Sequence, residues 1–250
     1  MIDYKLTDQF TLQNYAAMLS EPLYWKAMSI SLSLALKTVF ITTLIAFPLA
    51  LTLVYSVPVK RRTFFLILII APFWTSYLIR AYSWYVILGN KGIVNIVLMR
   101  LGFISQPIKL LYTNTATTIG LIHYLLPIMT LNLYTTLENI DPKLLEAADD
   151  LGASRLQIFT QIIFPLSRTG LINGMMFIYI LAFADFISPA TLGGQAERVF
   201  PQLIVDAVQW NINWPMAASL SVMMVLSIFI VLAVFSRFRH LDIERGGSGK

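Results

Sequence analysis

"ENIDPKLLEAADDLGASRLQIFTQIIFPLS", Glu138 to Ser167, is the longest polar interruption in the second half of an apolar chain. It carries Glu138, Asp141, Glu146, Asp149 and Asp150, five of the chain's thirteen acidic residues. Asp141 before Pro142 starts a helix. The carboxylate caps free backbone N–H groups, and proline suits the first helical position, where no N–H is needed. Leu144, Leu145, Ala148 and Leu151 share one helical stripe, and the acids fall elsewhere. Gly152 is placed to end this helix in a left-handed conformation. Ser154 with Gln157 three residues later is a capping box that opens a second helix. Leu156, Phe159, Ile162, Ile163 and Leu166 then keep helical spacing until Pro165 disturbs it. The stretch reads as a helix–Gly turn–helix hairpin. Its first helix is acidic and its second offers only Arg155, so a nucleic-acid backbone is excluded as a partner.

The chain around the hairpin is membrane protein by composition. Of 250 residues, 57% are hydrophobic and 12% charged, against roughly 45–50% and about 25% in soluble domains. The absence of cysteine excludes disulfides, thiolate metal sites and cysteine nucleophiles. Two histidines, with no HExxH or GxxxxGK[ST] pattern, leave metal and nucleotide chemistry without a home.

Five stretches reach the ~20 apolar residues that a spanning helix needs. They run over residues 29–55, 63–88, 116–137, 171–190 and 216–235. None alternates as a strand would, so the expected fold is an all-α, polytopic bundle of five transmembrane helices with the hairpin as a loop over 138–168. Pro48, Pro72, Pro127 and Pro189 in or near these spans are expected to bend helices rather than end them. Lys60, Arg61 and Arg62 between the first two spans, and Arg237 and Arg239 after the last, mark the cytoplasmic side. Residues 1–28 are then external, and the hairpin loop and the tail 237–250 internal. "MIDYKLTDQF" has no apolar core of a signal peptide, and "GGSGK" reads as a linker or a disordered end.

Glu146-Ala147-Ala148, then Gly152, then Ile162 and Pro165, resembles the EAA signature of bacterial ATP-binding cassette importer permeases. Phe164 departs from the leucine of that signature but remains apolar. "FTLQNY", "APFWTSYLIRAYSW", "HYLLPIMTLNLY", "FISPATLGG" and "NWPMAAS" are similar to the spermidine/putrescine-type permeases. The resemblance covers Phe10 to about Arg237, and the chain looks like a family member without its first helix. It implies that the hairpin docks into a cleft on a cytoplasmic ATPase through Glu146, Ala147, Ala148, Gly152 and Arg155. It also implies a pair of ATP-binding subunits, a second permease, related but not identical, and an external substrate-binding protein. The chain would form the pathway, without catalysis and without a cofactor of its own.

Pathway candidates are the charged and aromatic residues at span depth, because ionised groups are costly in a bilayer. Asp185 and Arg80 lead, pairing either with a substrate or with each other. Tyr77, Tyr82 and Trp84 lie around Arg80, and Tyr179 and Trp210 complete the set. Lys37 is eight residues from Ser29, on the order of 12 Å along a helix, and is expected to snorkel outward. His123, Tyr124, Asn132 and Tyr134 are polar but suit hydrogen bonds between helices. Residues 188–215, rich in Gly and Pro, are expected to form an external gate region, with an amphipathic run from Val199 to Trp210. Residues 89–103 are expected to contain another short external helix.

Asp185, Glu197 and Asp206 among aromatic rings suit a small cation, polyamines first. An anionic or zwitterionic solute, such as an organophosphonate or amino-acid derivative, with Arg80 as ligand is the alternative within the class. A channel or ion-driven carrier is the alternative outside it, and that class more often shows internal repeats.

Overall fold

The computed structural model describes residues 12–194 and 198–246, with side chains through 237. Glu197, residues 1–11 and the last four residues of the tail lie outside the described residues. Among the described residues every regular element is a helix. In chain order they are α1 Gln13–Ser20, α2 Pro22–Leu51, α3 Val59–Ile70, α4 Tyr77–Leu88, α5 Ile93–Arg100 and α6 Asn114–Glu138. Then follow α7 Pro142–Asp150, α8 Arg155–Ala184, α9 Ile187–Leu192, α10 Phe200–Gln209 and α11 Trp214–Gly246. A π-helical turn, Thr52–Ser56, extends α2, and another, Phe159–Ile163, lies within α8.

Four of these helices are long and apolar enough to cross a membrane: α2 with its π turn, α6, α8, and α11 to Arg237. A bent pair, Val59–Trp74 and Tyr77–Arg100, with 91° between its arms, is long and apolar enough to be a fifth crossing when its two arms are counted as one broken span. The central element is α6. Its Leu121, Leu125, Met129, Leu133 and Leu137 recur every fourth residue and are all fully buried, as one face of a 3.6-residue helix requires. Ala35, Ala46 and Ala50 of α2 close against it, and α8 packs on its other flank. The α6–α8 approach leaves no room for a side chain at Gly170, where a Cβ would stand 2.1 Å from Thr136 Oγ1. Small residues at helix contacts are how membrane bundles gain dispersion energy when lipid is as apolar as leucine. At the far end from the hairpin, α10 lays Phe200, Leu203 and Ala207 against Met18, Ala27 and Leu220.

Three sequence expectations need correction. The second span is not one helix over 63–88. After Pro72 a 3₁₀ turn ends at Trp74, and Thr75 and Ser76 take extended conformations. Both Thr75 N and Thr75 Oγ1 donate to Pro72 O, closing the turn. Pro48 and Pro127, by contrast, remain inside α2 and α6. The fourth span does not reach residue 190. Its helix ends at Ala184 because Asp185 turns extended and caps the separate α9, which contains Pro189. The first long helix begins at Pro22, not Ser29. Lys37 is therefore fifteen residues into it, about 22 Å at ~1.5 Å per residue, and is exposed on the chain's surface.

Candidate functional site

The first site is the hairpin. Asp141 Oδ1 accepts from Lys143 N at 3.0 Å at the start of α7. Gly152 adopts φ +78°, the left-handed conformation the reading required. Gly152 N donates to Asp149 O at 2.8 Å and Ala153 N to Ala148 O at 3.0 Å. These two bonds use carbonyls that a helix end leaves free. Ser154 N donates to Gln157 Oε1 at 2.7 Å, and Ser154 Oγ accepts from Gln157 N at 3.4 Å. Pro165 does not end the second arm. The π turn precedes it, and the helix continues to Ala184. One rod of 30 residues, about 45 Å long at ~1.5 Å per residue, therefore joins the Gly152 turn to Asp185.

The apolar stripe of α7 splits in the fold. Leu145 packs partly against the core, while Leu144 is 49% exposed, Leu151 88% and, across the turn, Leu156 72%. Glu146, Ala147, Gly152 and Arg155 are exposed beside them, and Ala148 is half-buried. The tip thus presents leucines next to acidic groups, the composition of an unfilled contact rather than of a solvated loop.

The second site lies at the opposite end of the rod. Asp185 Oδ2 accepts from Ser188 N at 3.0 Å and Oδ1 from Ile187 N at 3.3 Å. Ser188 Oγ is 2.6 Å from Tyr77 Oη. Tyr77 stacks on Tyr124 at 4.5 Å between ring centroids, and both rings, with Phe73, surround the Arg80 guanidinium at 5.1–5.7 Å. Arg80 is 9% exposed, and its Nε and Nη1 have no hydrogen-bond partner among the described residues. Cation–π contact, worth about 2 kcal/mol for a desolvated cation, is what holds this charge. The expected direct pair between Arg80 and Asp185 is not formed among the described residues. Tyr77 stands between them, its ring beside the guanidinium and its hydroxyl bonded to Ser188, whose N–H donates to Asp185.

Beside this cluster is a cleft of about 570 Å³ between α4 and α9, lined by Tyr82, Tyr85, Tyr112, Phe186 and Ile187 among others. Tyr85 and Tyr112 join their hydroxyls at 3.0 Å. The remaining candidates do not all meet here. Trp84 is edge-on to His123 at 5.7 Å. Tyr179 is fully enclosed in the core, stacked on Phe183 at 5.7 Å. Trp210 is 78% exposed at the end of α10. Asp206 pairs with Arg198 at 3.0 Å. A larger groove of about 640 Å³, walled by Phe40, Phe47, Phe159 and Phe164, carries almost no polar surface and offers nothing to hold a hydrophilic solute. Tyr77 was expected beside Arg80, whereas Phe73, Tyr112 and Ser188 were not singled out as site residues. Only the turn chemistry of Pro72 and the cap at Asp185 hinted at them.

A helical bundle with a broken span, a capped polar hairpin and a charged aromatic cluster at opposite ends defines a membrane permease. The chain belongs to the family of binding-protein-dependent transport system inner membrane components, whose profile matches residues 31–241. It is a multi-pass inner-membrane protein of the ATP-binding cassette importer class. The spermidine/putrescine transport system permease protein PotB of Escherichia coli K12 is 38% identical over 93% of this chain and 84% of its own length. PotB of Haemophilus influenzae is 36% identical over 92% and 80%. The inner membrane ABC transporter permease protein YdcU of E. coli K12 is 30% identical over 95% and 79%. In fold, the chain matches a bacterial ABC transporter involved in the import of the acidic polysaccharide alginate. The TM-score is 0.73 at 16% identity, over 93% of this chain and 84% of that one.

Proposed function

We propose that this chain is the permease subunit of a polyamine importer, with spermidine or putrescine as its cargo. The observation that carries the proposal is the unbroken α8 rod between the exposed leucines of the hairpin and the carboxylate of Asp185. A groove on each of a pair of cytoplasmic ATP-binding subunits would take a hairpin through Glu146, Ala147, Ala148, Gly152 and Arg155, as an amphipathic helix fills a groove. ATP hydrolysis belongs to those subunits, and the chain supplies the path. A second, related permease completes the pathway, and a binding protein delivers cargo at the opposite face. The hairpin and the C-terminus are then cytoplasmic, and α9, α10 and the 89–113 segment external, in line with Lys60, Arg61 and Arg62 at the hairpin's end of the bundle.

Identity to PotB supports the cation reading. So does the local chemistry: tyrosine rings, from which an alkylammonium gains, line the cleft, and so does Ile187, whose N–H donates to Asp185. The alternative with Arg80 as ligand for an anion is disfavoured by its enclosure, since Phe73, Tyr77 and Tyr124 already occupy the guanidinium faces. Radiolabelled spermidine uptake in cells with and without this chain tests the reading. Saturable uptake that depends on the chain is expected, blocked by excess putrescine and indifferent to excess methylphosphonate. Competition by methylphosphonate in place of putrescine would overturn the cation assignment.

A further inference from the structure

At the hairpin's end of the bundle, Arg62 makes a set of contacts that the transport reading does not use. It stands in the first turn of α3 and reaches backwards. Its Nε donates to Val57 O at 3.1 Å, and its Nη2 donates to Val54 O, a carbonyl of the π turn that ends α2. Its Nη1 lies 3.7 Å from Glu138 Oε1. The same Glu138 oxygen accepts from Tyr134 Oη at 2.5 Å. A second tie runs in parallel, from Tyr55 Oη to Leu137 O at 3.4 Å. Glu138 is the last residue of α6, three before the Asp141 cap of the hairpin.

The connectivity gives these contacts a mechanical meaning. The hairpin's second arm is α8 itself, so α8 must follow any hairpin motion. Its first arm joins α6 through Asn139 and the buried Ile140. The broken span has no such covalent link, and α3 buries no residue of its own. Leu66 and Ile69 pack on the core only in part, and Tyr77 meets Tyr124 further along, so the polar contacts at its start are the ties that lie nearest the hairpin. Glu138 is 46% exposed, and an exposed ion contact alone is weak. Here the guanidinium is held in place by two carbonyls and the carboxylate by a tyrosine hydroxyl. The planar fork therefore meets Glu138 in a fixed direction, which a flexible ammonium would not do.

We propose that Arg62, acting through Glu138, is a positioning residue that makes the broken α3–α4 span move with the docking hairpin. The inference rests on the ATPase-coupling reading given above. Without the contact, the start of α3 would follow the hairpin less closely than α6 and α8 do, and α4, which carries Arg80, Tyr82 and Tyr85, would be less accurately placed. ATP would be consumed with less cargo moved.

The test uses the complete importer, purified through a tag on this chain and reconstituted with its binding protein. Spermidine uptake and ATP hydrolysis are measured together for Arg62→Gln, Glu138→Gln and the double variant. Each single change is expected to lower spermidine moved per ATP by about fivefold, with the double no worse than either, because one contact can be lost only once. Arg62→Lys, which keeps a charge opposite Glu138, is expected to retain an intermediate ratio and guards against failure of the Gln variant to assemble. A residue that only stabilised the fold would lower uptake and hydrolysis in proportion and leave their ratio unchanged. An unchanged ratio in both single variants, or losses that add in the double, overturns the proposal. If the unsubstituted complex shows no ATP-dependent uptake, the coupling reading has failed, and that outcome is distinct from a failure of the Arg62 contact.

Discussion

Gly152→Val is expected to cut spermidine uptake by about tenfold and to reduce the amount of ATPase that co-purifies with the chain. The residue stands at φ +78°, and a Cβ added there would meet nothing within 4 Å. Space is therefore not the constraint. A left-handed backbone costs an L-residue about 1–2 kcal/mol, and a β-branched side chain finds that region least accessible. Relieving the strain means abandoning the bonds from Gly152 N to Asp149 O and from Ala153 N to Ala148 O, which set the angle between α7 and α8. A shift of 1–2 kcal/mol changes a two-state ratio by roughly 5- to 30-fold. Gly152→Asn is the control, since asparagine enters the left-handed region readily, and it is expected to transport within about twofold of the unsubstituted chain. Normal uptake by the Val variant with its ATPase retained would show that the hairpin is not the coupling element.

Asp185→Asn carries the second large effect. The substitution keeps one oxygen, which can accept from Ser188 N, and gives up the longer bond from Ile187 N, so α9 retains the shorter of its two cap bonds and assembly is expected to hold. What it also removes is the negative charge at the start of α9, one wall of the tyrosine cleft. A charge-assisted hydrogen bond to an amine is worth about 1.5–3 kcal/mol, so uptake is expected to fall at least about tenfold at low spermidine. Adding Arg80→Gln is not expected to restore transport, because Arg80 is held by aromatic rings and makes no direct pair with Asp185. Uptake and assembly both unchanged in Asp185→Asn would remove the carboxylate from the pathway. Recovery in the double variant would instead show that the two charges pair during the cycle.

The hairpin was the most legible part of the chain, because its determinants are local. Asp141 before Pro142, Gly152 in the turn and Ser154 with Gln157 each act within four residues, and each makes the bond its type requires. The end of the fourth span was not legible. Apolar residues continue past Asp185, and only the carboxylate's turn back to two backbone N–H groups stops the helix there. The prolines show the same limit. Pro48 lies within a helix, its carbonyl accepting from Thr52 Oγ1 at 2.8 Å, whereas Thr75 folds both its donors onto Pro72 and a 91° break follows. Composition does not distinguish the two. Contacts between distant segments escaped altogether. Arg62 meets Glu138 across 76 positions, and the enclosure of Tyr179 depends on Phe183 and on Phe235 of another helix.

The central claim is that ATP hydrolysis outside this chain drives cargo through it by way of the hairpin. The most direct measurement is spermidine accumulation in proteoliposomes that hold the purified importer, with ATP inside and the loaded binding protein outside. ATP should drive accumulation against a gradient, and a non-hydrolysable analogue or the Gly152→Val chain should abolish or sharply reduce it. Accumulation at an equal rate without ATP, or driven by an imposed ion gradient alone, would contradict the account and make the chain a carrier of another class.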